Sequence, residues 1–113
     1  MKNGFSECKI AYIYEGRILV YKRYNNINIP YAGLWDLPGG GRDGKESPEQ
    51  CMLRELEEEF SISLDVSRLI YKRKYAGKNT TFFYAAYGEQ AEVDGIVFGP
   101  EGQCWEFRLY KSS

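Results

Sequence analysis

Residues 39–62, GGGRDGKESPEQCMLRELEEEFSI, set a glycine-rich bend directly before an amphipathic helix that carries a block of glutamates. Ser47 is a favoured N-cap, Pro48 suits the first helical position, and Gln50 stands three residues after the cap, where it completes a capping box. The pattern predicts a helix from Pro48 to Phe60. At about 100° per residue, Glu55, Glu58 and Glu59 share about a third of the helix circumference, and Met52, Leu53, Leu56 and Phe60 form the adjacent apolar stripe. One face is built for burial and another presents three carboxylates.

Like charges at i, i+3 and i+4 repel, each such pair costing a few tenths of a kcal/mol on an isolated helix. A hard divalent cation offsets that repulsion, because Mg²⁺ and Mn²⁺ prefer oxygen ligands. A solvated acidic surface is the plainer reading of a glutamate run taken alone. The spacing upstream favours the first. Five residues separate Gly40 from Glu46 and seven more separate Glu46 from Arg54, which is followed at once by Glu55, Leu56, Glu57, Glu58, Glu59, Phe60, Ser61 and Ile62.

That spacing resembles the Nudix box, the signature of the Nudix (MutT-like) hydrolases, at every fixed position but one: Ser61 stands where the family has glycine. The lead-in Leu34-Trp35-Asp36-Leu37-Pro38-Gly39-Gly40 is also similar to the family's entry strand. The resemblance implies an α/β fold, an alpha-beta-alpha sandwich with a mixed curved sheet, and hydrolysis of the diphosphate bond in a nucleoside diphosphate linked to a further group X. It implies Mg²⁺ or Mn²⁺ as cofactor, held by Glu55, Glu58 and Glu59 with the carbonyl of Gly39 or Gly40. Arg54 and Glu46 would hold the glutamates in place. Glu101, in an Glu101-Gly102-Gln103 segment before Trp105, is similar to a late glutamate that serves relatives as a further metal ligand or acts on the attacking water. The general base is Glu55, Glu58 or Glu101. The alternative is a catalytically weak nucleotide-binding or regulatory module, to which Ser61, Lys45 where relatives carry glycine, and the missing final helix point.

Ser61 also has a direct physical reading. A residue past a helix C-terminus commonly adopts the left-handed conformation, at a steric cost of about 1 kcal/mol for a non-glycine residue. A lightly strained or differently terminated helix end is expected.

The whole chain bounds these readings. Its 113 residues allow one small domain with one core, here residues 1–113. Fifteen basic and sixteen acidic residues give a net charge of −1, without the basic excess that duplex nucleic acid requires. Small anionic nucleotides remain suitable partners. The absence of histidine excludes Ser-His-Asp and Cys-His mechanisms, so carboxylates must carry the chemistry. Cys8, Cys51 and Cys104 are widely spaced and read as reduced packing residues. No apolar run is long enough for a membrane span, and a cytoplasmic location is expected.

Around the helix, residues 8–14 and 18–23 read as a hairpin, 24–33 as a loop holding Tyr31, and 34–37 as a short strand. Residues 67–75 and 80–87 read as a second hairpin, whose Arg68, Lys72, Arg73 and Lys74 form a solvated face. Glu89–Gly95 reads as an acidic loop and 104–110 as a last strand. Tyr12, Tyr31, Trp35, Phe83 and Tyr84 are the candidate stacking rings. Relative to the family pattern the fold lacks the usual C-terminal helix, as in a C-terminally truncated domain. The sheet face left open is expected to be covered in a homodimer, or to leave the chain marginally stable.

Overall fold

Glu15 and Gly16 both take positive φ, 51° and 74°, which is the tight-turn geometry that matches the twist of two antiparallel strands. They join β1 (Glu7–Tyr14) to β2 (Arg17–Arg23). In this computed structural model, which describes residues 4–24, 33–100 and 102–109, there follow β3 (Trp35–Asp36), β4 (Gly39–Gly41), α1 (Pro48–Phe60), a 3₁₀ turn at Val66–Arg68, β5 (Tyr71–Ala76), β6 (Thr80–Tyr87), α2 (Gln90–Asp94) and β7 (Gly102–Leu109).

The hairpin strands part soon after they meet. β1 and β2 share only the Ile13–Ile18 and Tyr14–Arg17 rungs. Beyond them β1 takes β4 as its neighbour and β2 takes β3, both antiparallel. The Leu37-Pro38 link between β3 and β4 joins the two parted strands. β1 runs parallel to β6, β6 pairs antiparallel with β5, and β7 pairs antiparallel with β2. The expected α/β class with a mixed, curved sheet is observed.

Alternation decides what is buried. Cys8, Ile10 and Tyr12 of β1, Leu19 and Tyr21 of β2, and Tyr84 and Ala86 of β6 point to one side and meet Cys51, Met52, Leu56 and Phe60 of α1. Burying each large apolar side chain contributes about 1.5–3 kcal/mol. Phe60 sits between Tyr21 and Phe98, at ring-centroid distances of 6.3 and 5.4 Å. Both α2, through Val93, and the segment after it, through Ile96 and Phe98, pack against this same core. No described helix is long and apolar enough to cross a membrane. No helix follows β7 among the described residues.

Four expectations need correcting. Glu89–Gly95 is not an acidic loop, since its middle forms α2; Glu92 accepts hydrogen bonds from Arg68 (2.8 and 3.0 Å) and from the Tyr12 hydroxyl (2.6 Å), long-range partners that neutralise the acidic turn. The second hairpin begins at Tyr71 rather than Ser67, because Asp65 accepts the Ser67 amide (2.9 Å) and starts a 3₁₀ turn. The three glycines form a ladder strand rather than a free bend. The last strand begins at Gly102, two residues before Cys104. Tyr31 and Glu101 lie outside the described residues.

Helix α1 starts as read, with the Gln50 amide donating to Ser47 Oγ (3.1 Å) and the Ser47 amide donating to Gln50 Oε1 (2.9 Å). It ends with Ser61 in the left-handed region, φ 58° and ψ 33°, its amide donating to the Glu57 carbonyl at 3.0 Å. Serine therefore adopts the left-handed conformation that glycine favours. Ser61→Gly is expected to raise stability by up to about 1 kcal/mol, and Ser61→Val to lower it by at least as much, in urea denaturation of the purified protein.

Candidate active site

Three of the glutamates singled out in the sequence converge on one guanidinium, that of Arg54. Arg54 grips Glu46 at both ends, Nε to Oε2 at 2.6 Å and Nη2 to Oε1 at 3.0 Å. Its Nη1 donates to Glu55 Oε2 (3.1 Å) and to Glu58 Oε1 (3.0 Å), and Nη2 also reaches the Gly41 carbonyl (3.0 Å). A planar fork can serve several acceptors at once, which a lysine could not do. Glu46 is steadied from the other side by the Asp43 amide (2.9 Å). The hydrogen bond from Arg54 is the main reason that the Glu46 carboxyl is held below its ordinary value.

The helix presents its glutamates unequally. Glu55 and Glu59 are buried, at 9% and 3% exposure, whereas the Glu58 side chain is 57% exposed. Glu59 Oε1 accepts the Gly39 amide at 3.2 Å. Glu55 lies flat on Gly40: a Cβ added there would sit 2.6–2.7 Å from its carboxylate atoms. A Cβ on Gly39, whose φ is +152°, would lie 2.0 Å from the Cys8 carbonyl oxygen. The glycines are thus required by contact, since β4 must fit between β1 and the acidic face of α1.

The carbonyls of this strand do not all face the glutamates. The Gly40 oxygen receives the thiols of Cys8 and Cys51 at 3.7 and 3.8 Å. Those two cysteines are fully buried and their Sγ atoms are 3.0 Å apart. The contact with Cys51, together with burial, pushes the Cys8 thiol up. Both are packing residues, as their spacing suggested, while Cys104 is exposed.

Among the described residues no three Asp, Glu, Cys or His side chains gather as a group that could hold an ion. The reason is visible in the contacts: Arg54 Nη1 stands between Glu55 and Glu58, and Glu59 is turned to the Gly39 amide. The donor set nevertheless suits a hard divalent cation in kind, being composed of carboxylate and carbonyl oxygens.

Sequence reading missed a neighbouring constellation. Asp36 Oδ2 accepts Lys9 Nζ (2.7 Å) and Arg23 Nη1 (3.3 Å). These three, with Glu7, Leu34, Trp35 and Asn79, line a cavity of about 410 Å³. Lys9 is also the ladder partner of Gly39. The only sequence signal was a lysine at a strand position flanked by apolar residues; Asp36 lies 27 residues from Lys9 and 13 from Arg23. Of the candidate stacking rings, Tyr12 and Tyr84 are core residues, whereas Trp35 lines this cavity.

Known proteins resemble this chain in sequence and in fold. The family model described as NUDIX domain matches residues 10–108. An RNA pyrophosphohydrolase of Zymomonas mobilis is 29% identical over 65% of this chain and 60% of its own length. An 8-oxo-dGTP diphosphatase of Haemophilus influenzae is 38% identical over 65% of this chain and 53% of its own length. The chain thus spans between half and two thirds of the length of these relatives. A bifunctional NMN adenylyltransferase/ADP ribose pyrophosphatase from Francisella tularensis, solved with AMP and a Mn ion, superposes with a TM-score of 0.74 at 21% identity, over 99% of this chain and 36% of its own.

The Glu46–Arg54 clamp has a definite pH signature. Because the Glu46 carboxyl is held below 4.5 in the fold, its stabilising contribution is complete above the unfolded value and is lost as pH falls through the folded one. Glu46→Gln is therefore expected to melt below the parent at pH 6–8, with the difference closing as pH drops under about 4. Thermal melts of both proteins across that range check this.

Proposed function

Because the chain belongs to the NUDIX family, whose model covers residues 10–108, we propose that it hydrolyses the diphosphate bond of a nucleoside diphosphate linked to another group X, with Mg²⁺ or Mn²⁺ as cofactor. One observation carries this reading. Glu55 and Glu59 are buried one helical turn apart, an arrangement that costs stability in an ordinary core, against a strand kept free of side chains. Its glycine composition makes room for carboxylates where packing alone would place apolar groups.

Glu55, Glu58 and Glu59 would hold the cation, with the Gly39 carbonyl preferred to that of Gly40, whose oxygen faces the thiols, and with Glu101 as a further ligand. The cation supplies neutralisation of the phosphate oxygens and a more acidic attacking water. The remaining chemistry belongs to the side chains. A carboxylate takes a proton as the water oxygen bonds to phosphorus, and the bridging P–O bond breaks to release the phosphorylated leaving group. Glu58 fits that role best, since it is solvent-exposed and yet fixed by Arg54; Glu55 and Glu101 are the other candidates. Arg54 orients both Glu55 and Glu58 while Glu46 fixes Arg54. Lys9 and Arg23 give the adjoining cavity two cations for an anionic nucleotide, and Trp35 gives it a ring.

The reading as a binding module without turnover drew on Ser61, Lys45 and the missing final helix; of these, Ser61 adopts the helix-ending geometry of a glycine, and the buried glutamate pair speaks for turnover. The enzyme is therefore the favoured function.

Two measurements test it. With nucleoside triphosphates, ADP-ribose, dinucleoside polyphosphates and 5′-triphosphorylated oligonucleotides as a panel, hydrolysis is expected with millimolar Mg²⁺ or Mn²⁺ and none in excess EDTA. Glu58→Gln should lower kcat by about 10²–10⁴-fold with an unchanged melting temperature, because the side chain is more than half exposed. Hydrolysis that persists undiminished in the variant or in EDTA removes the proposal. A melting temperature that does not move with added Mn²⁺ removes the cation site.

A further inference from the structure

The sheet has a second face, turned away from α1, and its side chains are of an unusual kind. Lys72 and Lys74 alternate with Tyr71, Arg73 and Tyr75 along β5. Lys72 lies over the Phe82 ring (5.0 Å) and pairs with Glu49 of α1 (2.8 Å), so Tyr71, Arg73 and Tyr75 point to the opposite face. There they meet Phe83 and line a shallow depression of about 500 Å³. Tyr75 and Phe83 stand edge to face, with centroids 5.3 Å apart and planes at 87°. The Arg73 guanidinium lies 5.1 Å over the Tyr75 ring. Tyr71 and Tyr75 are about half exposed, at 49% and 52%.

Two further observations say what suits this face. Residues 66–88 contain no acidic residue; Lys72 and Lys74 point to the α1 side and Arg68 pairs with Glu92, so Arg73 is the β5 cation on this face. A single rung also runs across four strands, from Gly39 through Lys9 and Phe83 to Arg73. At about 4.8 Å per strand, the aromatic depression begins one strand beyond Lys9 and on the same face. The ring at the glycine side, Trp35, and the rings of β5 and β6 are separate surfaces, so together they offer places for more than one base.

We propose that the open face of β5 and β6, built from Tyr71, Arg73, Tyr75 and Phe83, is a stacking site for the bases of a single-stranded oligonucleotide. Exposed aromatic rings on a strand face, interleaved with arginine, bind successive bases by stacking and the backbone by charge, with little demand on sequence. A duplex keeps its bases stacked on one another and gains only the charge term. Resting on the hydrolase reading, the inference deepens it: one end of a strand stacked here would reach across the rung to Lys9 and Gly39, which makes a polynucleotide terminus the substrate.

The test is binding without turnover. A 3′-fluorescein-labelled single-stranded RNA of about ten nucleotides, with a 5′-hydroxyl end, is titrated in EDTA and followed by anisotropy, beside a duplex of the same sequence. The single strand is expected to bind more tightly than the duplex. Tyr75→Ala and Phe83→Leu should each weaken single-strand binding about tenfold, and Arg73→Gln should reduce the dependence of binding on salt. Circular dichroism establishes that each variant is folded; if Tyr75→Ala is not, Tyr71→Ser, on a half-exposed ring of the same patch, takes its place with the same expected loss. The proposal is overturned if the single strand does not bind, if strand and duplex bind alike, or if folded variants bind as the parent does. It is equally overturned if sedimentation shows a dimer that Tyr75→Ala converts to monomer, since a second copy then covers the face. Because the probe carries no diphosphate bond and no cation is present, failure here is separate from failure of the hydrolase reading.

Discussion

The close contact of a side-chain-free strand with an acidic helix face is the constraint on which the site depends. Gly40 admits the Glu55 carboxylate where a Cβ would overlap it, and the Gly39 amide meets Glu59. This lets two glutamates remain beneath the surface, each with a polar neighbour, while the apolar stripe of the same helix packs on β1 and β6. Both faces of α1 are consequently engaged, and the register of helix on sheet is set by polar and apolar contacts together.

Arg54 organises the charge around that contact. Through Glu46 it ties the helix to the loop that follows β4, and through Glu55 and Glu58 it restrains two like charges that would otherwise separate. Electrostatic work of this kind depends on orientation fixed before a ligand arrives. The parting of β1 and β2 after two rungs serves the same end, because it leaves β1 free to pair with the glycine strand. Lys9 is the rung partner of Gly39, and its side chain lines the cavity beside Arg23 and Trp35. The lining of that cavity and the glycine strand beside the acidic helix are thus neighbours.

Much of this was legible in residue order because its causes are local. The capping box, the Pro48 start, the apolar stripe and the Glu46–Arg54–Glu58 spacing are all set within one helix and its approach. The family follows from the same stretch, confirmed by the match over residues 10–108. What escaped reading required distant partners. Asp36 gathers Lys9 and Arg23 from two other strands, and Glu92 makes a helical turn stable by accepting from Arg68 and Tyr12. Tyr12 and Tyr84, equal to Trp35 as rings in the chain, are separated from it only by which side of the sheet each faces.

By itself, then, the order of residues determined the fold class, the helix with its ends and the family, since hydrophobic period, capping chemistry and charge spacing act over a few residues. The tertiary structure alone decided which glutamates are buried, which glycine is needed for contact, and which aromatic rings face outward. Those properties depend on strand register and on the parting of β1 from β2, and register is set by pairing between segments far apart in the chain.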